Sequence, residues 1–341
     1  MSLNSFSPSN QENHIILPDP SSSNSSEKYL RVTVIRTTVE VIIPQSYYIY
    51  RNGVKDSVRQ PPDGYFNIGR QQVTENGHRP NDLMLPPSDR AISRSHCKIN
   101  YKFFFDATPP EIWISFLMGS HPRLGRNSIL QFLPIDLFRY IFLFIKQPRL
   151  PMLADLGSMC GTYIKVSNFE PIILEPGMVF LVGSDINIEF DKIVNDHNTS
   201  IFGPELTLEE GGGMSMNMVQ DSEPFVIIKV SKASADNEAT VQTSTWKFVA
   251  QDPNKVFTIG RSQVCDINLP ENTISRTQCR VFYSNRSWKL LDGVENKPTV
   301  NGTWQSICRR NTAIRQESDP FPLKNGSHIK ISDTIVQVDW N

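Results

Sequence analysis

"AISRSHC", residues 91–97, sets a hydroxyl, a guanidinium and an imidazole within four positions, at Ser93, Arg94 and His96. It runs into "CKINYKFFF" (97–105), whose branched and aromatic residues favour a strand. The same arrangement returns at 273–279 as "TISRTQC", ahead of the strand-like "CRVFY" (279–283). Working outward, "FNIGR" (66–70) aligns with "FTIGR" (257–261), and "GSMCGTYI" (157–164) with "PTVNGTWQ" (298–305). Arg70 precedes Arg94 by 24 residues and Arg261 precedes Arg276 by 15, so the first copy carries 9 more residues in that loop. Three matches in one fixed order point to two copies of one domain.

Short strand-like runs fill both copies. "YLRVTVIRTTVEVII", "GYFNIGR", "NDLMLP", "EIWISFL", "LADLG", "GTYIKV" and "DINIEF" belong to the first copy. "PFVIIKV", "WKFVA", "VFTIGR", "CDINLP", "SWKLLDG" and "HIKISDTIVQVDW" belong to the second. Gly, Pro, Asn and Asp separate them, a pattern that predicts an all-β fold of two β-sandwiches in tandem. The expected division is a disordered Ser/Asn/Pro-rich tail (1–28), a first domain (29–191), a flexible acidic and Gly-rich linker (192–223) and a second domain (224–341).

One segment has no counterpart in the second copy, "GSHPRLGRNSILQFLPIDLFRYIFLFIKQPRL" (119–150). From Pro134 it favours a helix, with Leu137, Ile141 and Phe144 on one face. Asp136 and Arg139 interrupt the apolar run, which is too short for a membrane span. The expectation is a helical insertion into the first domain. Its "LPIDLFRYIFLFI" also resembles the start of an F-box, which implies a partner-docking helix as an alternative role.

Composition narrows the function. Lys+Arg number 34 and Asp+Glu 35, for a net charge of −1 in 341 residues, so the basic excess of a nucleic-acid binder is absent. The five cysteines form no C-x-x-C pair, and their odd number argues against a disulfide framework or zinc site. The N-terminus lacks the features of a signal peptide, so an intracellular place is expected. The six histidines show no metal-ligand spacing, and phosphate-loop, zincin, nucleophile-elbow and kinase motifs are missing. No enzyme, metal or cofactor is expected.

The repeated residues suit an anion instead. Gly69-Arg70 and Gly260-Arg261 end strands, and Ser93-Arg94 and Ser275-Arg276 sit on a neighbouring loop. If the loops converge, each copy offers two guanidinium forks and a hydroxyl, a set matched to a phosphate dianion. Gly-Arg, then Ser-Arg-x-His, then a turn ending Asn-Gly-Thr resembles the forkhead-associated (FHA) domain. That resemblance implies two phosphothreonine-binding sandwiches. In the first, Arg70, Ser93 and Arg94 would hold phosphate, with Cys160 and Thr162 gripping the peptide from the turn. In the second, Arg261, Ser275, Arg276, Asn301 and Thr303 would do so. Gly69, His96 and Gly161, and in the second copy Gly260, Gln278 and Gly302, would be architectural. Cys160 stands where the family has Asn and weakens the first site; Gln278 replaces a bracing His and is able to donate and accept in the same way. The implied partners are phosphothreonine-containing proteins, with neither nucleic acid nor membrane, and the implied location is nuclear rather than cytoplasmic. Self-association through phosphorylated Thr207, in the acidic "ELTLEEG", is a further expectation.

Overall fold

The computed structural model describes residues 27–37, 46–56, 59, 63–71, 73–74, 76–105, 149–195, 223–232, 243–252, 254–309 and 315–341. Their regular structure is all β. The first copy supplies β1 (Leu30–Arg36), β2 (Ser46–Tyr50), β3 (Gly53–Val54), β4 (Tyr65–Gly69), β5 (Leu83–Met84), β6 (Cys97–Asn100), β7 (Met152–Asp155), β8 (Thr162–Lys165), β9 (Ile172–Ile173), β10 (Met178–Val182) and β11 (Ile186–Val194). The second supplies β12 (Phe225–Lys232), β13 (Thr243–Val249), β14 (Val256–Gly260), β15 (Ile267–Asn268), β16 (Cys279–Ser284), β17 (Ser287–Asp292), β18 (Thr303–Ser306), β19 (Phe321–Pro322), β20 (Ser327–Ile331) and β21 (Thr334–Trp340).

Strand alternation decides which side chains go inward. In β1, Leu30, Val32 and Val34 are buried and the residues between them are not. In β12, Val226, Ile228 and Val230 do the same. This two-residue period puts one face of each strand on a core. Two separate cores result. One contains Leu30, Phe66, Ile99 and Leu153 together with Leu323, Ile329, Ile331, Val336 and Val338. The other contains Phe180, Val182, Ile186, Ile188 and Phe190 together with Val226, Ile259, Val281 and Trp288.

The membership of these cores departs from a division at 191 and 224. The C-terminal strands of each copy lie in the other copy's sandwich. β21 pairs with β1, from Leu30 opposite Trp340 to Arg36 opposite Ile335. β11 pairs with β12, from Ile186 opposite Lys232 to Val194 opposite Phe225. The two five-stranded sheets have equivalent orders, β19-β7-β6-β4-β5 and β9-β17-β16-β14-β15, and each takes its first strand from the opposite copy. A single eleven-stranded sheet, β13-β12-β11-β10-β18-β8-β20-β21-β1-β2-β3, forms the second wall of both cores. The physical reason is redundancy. The two sheets, equivalent in order, present equivalent strand edges, so a final strand fits either one, and sequence order does not say which.

Smaller corrections follow. Residues 192–194, expected in the linker, continue β11. Lys28, expected in the tail, donates to the Phe104 carbonyl at 2.8 Å and lies over that ring. "CKINYKFFF" is a strand only to Asn100; Tyr101 and Phe104 then turn back into the first core. Most of the tail, nearly all of the 119–150 insertion with Leu137, Ile141 and Phe144, and Thr207 lie outside the described residues. All five cysteines are described and free.

Candidate phosphate-binding site

Each Gly-Arg pair ends a strand pressed against the Ser-Arg loop. A Cβ on Gly69 would lie 2.2 Å from the Arg94 carbonyl oxygen, and one on Gly260 2.4 Å from that of Arg276. Only glycine permits this approach. Two backbone bonds then lock the loops together. Arg70 N–H donates to Ser93 O and Gln71 N–H to Arg94 O, both at 3.1 Å. In the second copy Arg261 N–H donates to Ser275 O at 2.9 Å and Ser262 N–H to Arg276 O at 3.0 Å. The structure therefore brings Arg70, Ser93 and Arg94 together at one rim, and Arg261, Ser275 and Arg276 together at another.

Around the second trio lies a cavity of about 520 Å³, lined by Arg261, Ser275, Arg276, Thr277, Lys297 and Thr299, with Val294, Pro298 and Val300 as an apolar wall. Among the described residues, three cations and no carboxylate line it. Arg276 and Lys297 are exposed, so their charge is available at the mouth. Arg261 makes one long bond, from a terminal nitrogen to Asn272 Oδ1 at 3.5 Å. In the first copy Arg70 is more committed, its Nε donating to Ile92 O at 2.6 Å.

His96 and Gln278 make equivalent braces. Both are fully buried. His96 Nδ1 accepts from Ser93 N–H at 3.1 Å, and its Nε2 pairs with Gly161 O at 3.1 Å, which fixes the proton on Nε2. Gln278 Oε1 accepts from Ser275 N–H at 3.0 Å, and its Nε2 donates to Gly302 O at 3.0 Å. Each side chain thus ties the Ser-Arg loop to the opposing turn, whose Gly161 and Gly302 hold φ near +78° and +77°. Burial pushes the His96 imidazole below its usual range, only partly offset by Gly161 and Asp155. An unfolded His96 takes up a proton near pH 6.5 and the folded one only at lower pH. Its contribution to stability is therefore complete above about pH 6.5 and is lost as pH falls below that value. His96→Gln is expected to flatten the decline in stability between about pH 7.5 and 5, measured by urea unfolding. A residual slope remains from His328, shifted in the same direction chiefly by burial.

The four turn residues assigned to peptide contact have partners within the fold. Thr162 and Thr303 are fully buried. Thr162 donates its hydroxyl to Asp155 Oδ2 at 2.6 Å, and Thr303 to Asp292 Oδ1 at 2.7 Å. They support the turn from beneath. Asn301 does not line the cationic cavity. Its Nδ2 donates to Thr273 O at 2.7 Å, strapping the turn to the Ser-Arg loop. Cys160 lacks such a strap; its thiol meets Gly161 O at 3.8 Å and the Ser332 backbone, and burial raises its pKa to about 11.

The buried carboxylates were missed in the sequence. Asp155 accepts from Gly157 N–H, Ser158 N–H, Ser158 Oγ and Thr162 Oγ1. Asp292 accepts from Thr299 N–H, Thr299 Oγ1 and Thr303 Oγ1. The signal was present, since "LADLG" and "LLDG" end both strands with an Asp before Gly. Lys297 left no such trace, because Asp292 precedes Asn301 by 9 residues while Asp155 precedes Cys160 by 5, so the first copy has no matching position.

A family model described as FHA domain matches residues 257–332. No curated protein matches the chain. The matched segment contains Arg261, Ser275, Arg276, Gln278, Lys297 and Asn301, and so holds the whole cationic lining described above. FHA domains as a family bind phosphothreonine peptides in signalling and are generally not enzymes.

Proposed function

We propose that the chain is a non-catalytic reader of phosphothreonine-containing proteins, with its principal site in the cavity bounded by Arg261, Ser275, Arg276 and Lys297. The observation that carries this reading is the convergence of three cations and a hydroxyl, without a carboxylate, inside the segment that matches the FHA family. A phosphoryl group brings about −1.5 to −2 charge and three acceptor oxygens at neutral pH. Arg261 and Arg276 meet them with planar forks, Ser275 with a hydroxyl, and Lys297 with a mobile point charge.

The Arg70, Ser93 and Arg94 rim is a second, equivalent site in this reading, which makes the chain a tandem of two FHA domains. It is the weaker of the two, because Arg70 Nε is occupied and Cys160 fails to strap the loops. The place of action under this reading is the nucleus.

Titration of the full chain with a phosphothreonine peptide pool and its unphosphorylated twin tests the proposal by calorimetry. Binding confined to the phosphorylated pool is the expected result, weakening as salt rises. Equal affinity for the two pools would sink it.

A further inference from the structure

Strand exchange creates a second cavity, of about 180 Å³, where the two sandwiches meet. Arg36 and Lys330 reach it from strands around the first core and Asp333 from the turn between β20 and β21, while Thr273 and Asn301 come from the loops of the second, with Trp304 of β18 between them. Neither copy builds this lining alone.

Two features aim positive charge into it. Val34 faces Val336 and Arg36 faces Ile335, so Ile35 is an extra residue that bulges β1. A bulge redirects the side chain next to it, and Arg36 accordingly lines the cavity. Lys330 lies 5.6 Å from the centre of the Trp304 ring. Its ammonium is held below the usual lysine range by burial and by Arg36, against the opposing pull of Asp333. Among the described residues two cations and one carboxylate line it, which makes that lining net positive. Lys330, partly withdrawn from water beside Arg36, gains from an incoming anion.

We propose that this junction cavity is a second anion-binding site, which takes an oxyanion carried by the same ligand whose phosphothreonine fills the Arg261–Arg276 cavity. The two cavities share a wall. Thr273 and Asn301, joined at 2.7 Å, line the junction side, while Ser275 and Val300 line the other. A peptide crossing that bridge carries its phosphothreonine on one side and an acidic group on the other. The shared ligand rests on the phosphothreonine reading; the anion site does not.

The Trp304 indole N–H donates to Asn301 O at 2.7 Å and serves as a reporter on the cavity wall. Proton–nitrogen spectra of the full chain are recorded with rising inorganic phosphate in a background carrying both Arg261→Ala and Arg276→Ala, which disables the first cavity. The Trp304 resonance is expected to move. Arg36→Gln or Lys330→Met, the latter keeping the aliphatic stem, is expected to raise the apparent dissociation constant by about tenfold or more. A stationary Trp304 signal, or a constant unchanged in both variants, overturns the proposal. Phosphothreonine peptides flanked by Asp, by phosphoserine or by Ala then identify the source of the oxyanion. The flank whose advantage over Ala disappears in Arg36→Gln is the one bound, and an advantage that survives in both variants counts against the site. Failure of the phosphothreonine reading has a different signature: phosphorylation makes no difference to peptide affinity while the Trp304 shift persists.

Discussion

A chain ended after Leu323 is expected to lose the N-terminal core and keep the C-terminal one. That truncation removes β20 and β21, and with them Ile329, Ile331, Val336 and Val338, all fully buried in the core built on Leu30 and Phe66. Each such side chain contributes about 1.5–3 kcal/mol on burial. Together they approach the roughly 5–15 kcal/mol by which a whole domain is stable. β1 also loses its partner along six register positions. Among the described residues no member of the other core lies beyond Leu290, so its burial is untouched. Hydrogen exchange checks the outcome strand by strand. Amides of β4 and β6 lose protection, and those of β14, β16 and β17 keep it. The reverse pattern would mean that each copy closes on its own C-terminal strands. The experiment also governs how the protein is dissected, because cutting the chain into its two sequence copies divides both cores.

Arg276→Ala is expected to weaken phosphothreonine-peptide binding by about 10- to 100-fold, since a hydrogen bond to a charged group contributes about 1.5–3 kcal/mol. Arg261→Ala belongs in the same range, and the double variant is expected to leave no measurable affinity. Arg276→Lys restores part of the loss, because it keeps the charge but not the fork. Lys297→Ala has a smaller effect that fades with salt, as suits an exposed cation at the mouth. Calorimetric titration measures each variant, with hydrogen-exchange protection of β14 and β16 as the check that the fold is intact. Full affinity in Arg276→Ala would place the phosphate elsewhere.

Much of this architecture was legible in the residues. The alternation in "LRVTVIR" and "FVIIKVSK" fixed which side chains turn inward, because neighbouring strand residues point to opposite faces. The duplicated Gly-Arg and Ser-Arg pairs located both rims, because the glycine is needed wherever a carbonyl presses on a strand end. The exchange of His96 for Gln278 was readable as well, since either side chain accepts one backbone N–H and donates to one carbonyl.

Other features depended on the assembled molecule. Thr162 and Thr303 follow the turn glycine as a ligand contact would, yet a buried carboxylate beneath each one claims its hydroxyl. Lys297 became part of the site only through the path of a loop that one copy has lengthened. Above all, the repeat determined that strands such as β11 and β21 complete a sandwich, but equivalent edges made the choice of sandwich degenerate. Packing resolved it, joining Val338 to Val32 and Phe190 to Ile228, and by crossing the copies set Arg36 and Lys330 beside Asn301. Local residue chemistry specifies strands and loops; which edge a strand meets is a property of the whole chain.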